Sequence, residues 1–331
     1  MGEFELLERV RERLPPDGPR LRLGSGDDAA IAVPDGATAT SVDALVEGVH
    51  FHRGQSSLGQ IGHKALATAL SDLAAMGAEP GEAYVVLGVP TDLDEEGCLE
   101  LLDGLAKLAA ATGISLAGGD VTRAPALTLA VTVVGHAPSP EQLVTRGGAR
   151  PGDVLVVTGE IGGAAAGLLL EPETGSSSHL VTNSVTKREL GELIRRQLEP
   201  QPRLEAGRAL AEAGATAMID LSDGLGGDAR HLAKASGVGL QIDASALPLA
   251  VGVAEVAADA GREPLELAIQ GGEDYELLAA LPAERLAEAS AAVEVVGVTL
   301  TRVGEVVSGE GVEIRLPGGG RLKPVGFDQL S

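Results

Sequence analysis

Apolar positions recur along the chain at two alternating periods, helical and strand-like, and the switching between them predicts an α/β protein. Helical spacing over 3–13 is closed by Pro15-Pro16-Asp17-Gly18-Pro19, a stretch that no regular element can cross. Strands are expected over 29–33 and 38–43. Over 57–76, Leu58, Ile61, Ala65, Ala69, Leu73 and Met76 share one helical face, with Ser56 or Ser57 as N-cap and Gly77 just past the end. A strand over 83–89, a helix over 93–112 capped by Asp92 and stopped by Gly113, and a long alternating strand over 127–136 complete the first half.

Pro138, Pro140, Gly147-Gly148 and Pro151-Gly152 then mark a boundary, so two domains are expected: an N-terminal one over 1–137 and a C-terminal α/β one over 138–331. In the second, the pattern predicts strands over 154–158, 216–221, 239–242 and 276–281. Helices are expected near 163–170, 186–196 and 203–213. The tail from residue 293 reads as strand, turn and hairpin.

The 331 residues, 44% hydrophobic and 22% charged, have an ordinary globular balance. No run approaches the roughly 18 apolar residues that span a bilayer, and the N-terminus lacks a signal-peptide core, so a cytoplasmic protein is expected. Cys98 is the only cysteine, which excludes intrachain disulfides and multi-thiolate metal sites; any metal must be held by oxygen or imidazole. With 25 basic against 48 acidic residues, the net charge of −23 argues against nucleic acid or an anionic membrane as a partner. Phosphates remain possible ligands if divalent cations stand between the two negative partners.

Five segments set aspartates beside Gly or Ser where elements end: Gly26-Asp27-Asp28, Ser41-Val42-Asp43, Ser71-Asp72, Gly118-Gly119-Asp120 and Asp220-Leu221-Ser222-Asp223-Gly224. Any one alone could be a turn or cap residue. Asp72 differs, because Lys64, Thr68 and Asp72 form a polar stripe at i, i+4, i+8 on an apolar helix, in a turn where the macrodipole disfavours an anion. That carboxylate invites a cation, or else Lys64 or solvent satisfies the stripe. Oxygen-only donors suit Mg²⁺ and phosphates. The chain has no G-x-x-x-x-G-K-[ST] motif, so a P-loop fold is not expected.

These segments, together with Gly48-Val49-His50-Phe51, the string L-S-D-L-A-A-M-G-A over 70–78, Gly118-Gly119-Asp120-Val121-Thr122-Arg123 and Gly271-Gly272-Glu273-Asp274-Tyr275-Glu276, occur in the order found in thiamine-monophosphate kinases. The chain resembles that family along nearly its whole length. Val42 stands where a Thr is common, and Phe327 where a Trp or Tyr is common. The resemblance implies the two-domain fold of the aminoimidazole-ribonucleotide-synthetase-like superfamily, with a homodimer joined through N-terminal-domain strands. It implies phosphorylation of thiamine monophosphate by ATP to thiamine diphosphate. By the same resemblance, Asp28, Ser41, Val42, Asp43, Asp72, Asp120, Asp220 and Asp223 would hold several Mg²⁺ ions, with Asp43, Asp72, Asp120 and Asp220 central to catalysis. Gly119, Asp120, Arg146 and Ser222 would contact ATP, and His50, Glu273 and Phe327 the thiamine.

Two other readings compete. A superfamily relative with another phosphoryl acceptor would carry a reactive Cys near one terminus, whereas Cys98 lies in an expected helix and the chain ends Asp328-Gln329-Leu330-Ser331. A non-catalytic, cation-binding dimer would keep the fold without turnover.

Overall fold

In the computed structural model, residues 3–25, 29–170, 185–324 and 326 are described. The chain divides into two units, 1–73 with 78–140, and 74–77 with 141–331. The first opens with α1 (Glu3–Arg11), whose Arg9 binds Glu96 at 2.8 Å, and a short ribbon of β1 (Leu21–Leu23) and β2 (Ile31–Ala32). Next come β3 (Ala37–Val46), α2 (Leu58–Ala75), β4 (Glu79–Val89), α3 (Glu95–Thr112), β5 (Ser115–Arg123) and β6 (Thr128–Ala137).

Ser57 and Gln60 cap α2 reciprocally: Ser57 Oγ accepts from the Gln60 amide at 3.2 Å and Gln60 Oε1 from the Ser57 amide at 3.0 Å. The N-cap of α3 is Asp94, not the expected Asp92. Asp94 reaches the amide of Gly97, three residues on, at 2.9 Å, whereas Asp92 is drawn to Arg53 at 2.8 Å. Helices α2 and α3 approach so closely that a Cβ on Gly62 would lie 1.9 Å from the Leu101 carbonyl oxygen. Only glycine fits there. Ile61, Leu66, Leu70 and Leu73 of α2, Leu99 and Leu105 of α3, and Leu129, Val131 and Val133 of β6 are buried as this unit's core.

The four strands run in the order β3-β6-β4-β5, with β6 antiparallel to both neighbours and β4 parallel to β5 through the α3 crossover. Strand β5 holds Gly118-Gly119-Asp120 in its middle, where the end of an element was expected. A side chain at Gly119 would come 2.0 Å from the Val85 carbonyl oxygen, so glycine here serves close strand pairing instead of a loop. One sheet face packs Leu45, Leu87, Leu129, Val131 and Val133 into the core. The other presents Val42, 66% exposed, and Val86, 44% exposed.

The second unit contains β7 (Val154–Thr158), α4 (Gly163–Leu169), α5 (Lys187–Leu198), α6 (Leu204–Glu212), β8 (Ala217–Asp220), α7 (Leu225–Ser236), β9 (Gly239–Asp243), α8 (Val253–Asp259), α9 (Pro264–Gln270), β10 (Leu277–Leu281), α10 (Leu286–Val295), β11 (Leu300–Val307), β12 (Gly311–Arg315) and β13 (Arg321–Leu322). Its sheet has the order β13-β12-β9-β11-β7-β10-β8, and β7, β8 and β10 are buried along their whole lengths. Helix α10 covers part of the tail where a strand was expected. Val293, Val295 and Val296 suggest β structure, but Ala289 and Val293 bury one helical face and the strand begins only at Leu300. Among the described residues no helix is long and apolar enough to cross a membrane.

Candidate functional site

In the N-terminal unit, β3 and α2 bring two of the expected metal ligands together: the Ser41 hydroxyl donates to Asp72 Oδ2. Asp43 lies two residues further along β3, on the Ser41 side, with Oδ1 accepting from the Ala44 amide at 2.8 Å. Val42 between them turns its side chain outward. Because β3 is the edge strand, alternate backbone carbonyls along it have no strand partner, and a carbonyl is all that Val42 can offer a cation. Lys64 and Thr68 of the polar stripe on α2 are buried, whereas Asp72 at its end is partly exposed.

Asp120 stands exposed in β5, in register with Val86 of β4. His50 accepts from the Val46 amide at Nδ1, at 3.0 Å, which leaves Nε2 to carry the proton of the neutral ring.

In the C-terminal unit the two remaining motifs form one structure. Asp220 ends β8 and is 3% exposed. Beyond it, Ser222 O accepts from the Glu273 amide at 2.8 Å, Leu221 O from the Tyr275 amide at 2.9 Å, and Glu276 O from the Leu221 amide at 2.8 Å. The D-L-S-D and G-G-E-D-Y-E segments are thus laced by three backbone bonds. Glu273 and Tyr275 carry left-handed backbone, with φ of 68° and 50°. Such a conformation costs a non-glycine residue about 1 kcal/mol or more and persists where neighbouring contacts over-determine it.

Arg146 is exposed, and the segment that carries it is fastened by Ser236, whose hydroxyl donates to Arg146 O at 2.9 Å and accepts the Gly148 amide at 3.1 Å. Gly326 packs on the start of α7, where a Cβ would lie 2.6 Å from Gly227 Cα and 3.0 Å from Asp223 O. Asp28 and Phe327 lie outside the described residues.

The structure adds two carboxyls that sequence reasoning missed. Asp228, in the first turn of α7, accepts the amides of Ser222 and Asp223, both at 3.1 Å. Burial, and then the charges of Asp220 and Asp223, push its pKa up to about 8. An Asp in the helical turn that follows Ser222-Asp223-Gly224 was the available signal. Asp274 accepts from the Gly162 amide at 2.7 Å and the Ala164 amide at 3.2 Å at the start of α4, and burial pushes its pKa up to about 7.

Among the described residues no three His, Cys, Asp or Glu side chains converge into a self-sufficient metal site. The donors are nonetheless all oxygen, and the Ser41–Asp72–Asp43 edge suits Mg²⁺, which binds through one or two carboxylates and completes its shell with water and phosphate.

Fold and site define a two-domain member of the AIR synthase related proteins: residues 26–137 match the N-terminal domain of that family and residues 150–317 its C-terminal domain. The thiamine-monophosphate kinase of Mycobacterium tuberculosis (strain CDC 1551 / Oshkosh) is 38% identical over 84% of this chain and 80% of its own. That of Salmonella typhimurium is 38% identical over 92% and 90%. The crystal structure of thiamine-monophosphate kinase from Stenotrophomonas maltophilia superposes with a TM-score of 0.83 at 35% identity, covering 95% of this chain and 96% of the other. AaThiL complexed with AMPPCP and TMP superposes with a TM-score of 0.75 at 29% identity, covering 98% and 96%. The chain belongs to the thiamine-monophosphate kinase family.

Proposed function

We propose that the chain transfers the γ-phosphoryl group of ATP to the phosphate of thiamine monophosphate, giving thiamine diphosphate and ADP. The observation that carries this reading is the match, along nearly the whole chain, to a structure holding AMPPCP and TMP. The acceptor oxygen is already anionic near neutral pH, since a phosphate monoester has its second pKa at roughly 6, so no general base is needed. The task is in-line positioning of two mutually repelling polyanions. That explains why the motifs are rich in aspartate and poor in His.

Asp28, Ser41, the Val42 carbonyl, Asp43, Asp72, Asp120, Asp220 and Asp223 would hold Mg²⁺. Bound there, the ions supply the positive charge that offsets the charge developing on the transferred phosphoryl group. Gly119, Asp120, Arg146 and Ser222 contact ATP. His50, Glu273 and Phe327 receive the thiamine, whose fixed positive charge suits the Glu273 carboxylate and an aromatic face. The exposed sheet face bearing Val42 and Val86 supports a homodimer joined there. An ATP-consuming step suits the cytoplasm.

ADP release in the presence of ATP and Mg²⁺ tests the reading. Thiamine monophosphate should support turnover and free thiamine should not, because the monophosphate supplies the nucleophile. Comparable turnover with free thiamine, or ADP release indifferent to the acceptor, overturns it.

A further inference from the structure

We infer that Arg203 is a positioning residue for the acceptor site, acting through Glu276 on the strained Glu273 segment; the inference rests on the kinase reading above. Glu273 and Tyr275 hold left-handed backbone that something must restrain. The residue that follows them supplies the restraint.

The Glu276 side chain is 2% exposed and accepts Arg203 Nε at 2.7 Å and a terminal guanidinium nitrogen at 2.5 Å. It also accepts the Thr158 hydroxyl at 2.7 Å, and Thr158 Oγ1 in turn accepts the Leu277 amide at 2.8 Å. A Cβ on Gly159 would lie 2.2 Å from Glu276 Oε1, so the carboxylate rests flat against the end of β7. Residue 276 is therefore fixed from the side by a planar fork and from below by a hydroxyl. Its own carbonyl accepts from Leu221, and the chain running back from it bonds Tyr275 to Leu221 and Glu273 to Ser222.

A buried ion pair is a weak source of net stability, because desolvation offsets most of the attraction. What it provides here is geometry. Arg203 lines a cleft of about 80 Å³ with Asp274 and Glu276, and its guanidinium fork is engaged by the Glu276 carboxylate, which is the route by which it acts on the Glu273 segment. A lysine in its place would keep the charge and lose the fork.

The test is steady-state kinetics and amide exchange on the full chain. Arg203→Gln should raise KM for thiamine monophosphate about tenfold while circular dichroism remains that of the folded protein, and Arg203→Lys should recover only part. In a Glu273→Gln background, Arg203→Gln should change KM less than twofold further, since the residue it positions is already lost. Exchange of the Glu273 and Tyr275 amides should quicken in both Arg203 variants. Should Arg203→Gln not fold, Arg203→Lys carries the same cycle. Additive effects of the two substitutions, or unchanged exchange at Glu273 and Tyr275 in a folded variant, would overturn the inference. A wild-type chain inert toward thiamine monophosphate counts against the kinase reading alone, and amide exchange still decides the clamp.

Discussion

The Ser41 hydroxyl on β3 donates its hydrogen bond to the Asp72 carboxylate on α2, so a sheet edge and a helix face converge on one anion. The bond fixes the carboxylate's orientation and leaves it lone pairs for a cation. We expect Asp72→Asn to lower kcat at least about a hundredfold, because one ligand charge is lost where phosphoryl charge must be neutralised. Ser41→Ala should cost about tenfold, by removing one of the contacts that orient Asp72. Far-UV circular dichroism should match wild type in both. Near wild-type turnover of Asp72→Asn would remove this edge from the catalytic machinery.

The exposed face of the N-terminal sheet gives a second expectation. Val86 is 44% exposed in the middle of β4, so an aspartate there is compatible with the fold of the single chain. If this face joins two copies, Val86→Asp buries an uncompensated charge on each copy and should dissociate the pair. Light scattering after gel filtration decides it: wild type should run as a dimer and the variant as a monomer. A variant that stays dimeric would move the interface elsewhere.

A third expectation comes from Asp274. The folded protein keeps a proton on this carboxyl up to about pH 7, while an unfolded chain releases it near the ordinary Asp value of roughly 4. The folded state thus binds more protons between these limits. The contribution of this carboxyl to stability is full below the unfolded pKa and is lost as pH rises toward about 7. Asp274→Asn removes that dependence and can still accept the Gly162 amide. Urea denaturation should show the variant gaining at least ~1 kcal/mol on wild type between pH 5 and 7. A constant difference across that window would mean the carboxyl is ionised throughout.

Periodicity made α2, α3 and β6 legible in the sequence, because each buries one continuous apolar face. It could not show β5, whose central Gly118-Gly119 reads as the end of an element until β4 is seen lying against it. Nor could it show α8 and α9, seven residues each, whose ends are set by tertiary contacts. The motif aspartates were visible as Gly- or Ser-flanked residues. Asp228 and Arg203 were not, since their roles depend on amides and a carboxylate brought near by folding: Asp228 accepts the amides of the residues five and six before it, and Arg203 donates to Glu276, seventy-three residues on.

The last expectation concerns the metal. At net −23 the protein's field opposes ATP, and aspartates at the proposed phosphate site would make the local potential worse. No P-loop lysine holds the phosphates; Arg146, exposed on a segment fastened by Ser236, is the main cationic contact proposed for them. Because no three acidic or imidazole groups among the described residues form a complete cage, Mg²⁺ should bind weakly to the protein alone and tightly only with nucleotide, whose phosphate oxygens complete the shell. Monovalent salt can screen the repulsion but cannot bridge carboxylate to phosphate. Calorimetry should therefore show ATP affinity falling at least about tenfold, or ~1.4 kcal/mol, when Mg²⁺ is replaced by excess chelator. Raising monovalent salt in the chelated sample should restore only a small part. Equal affinity with and without Mg²⁺ would place the ATP phosphates away from the aspartates of β3, α2 and β5.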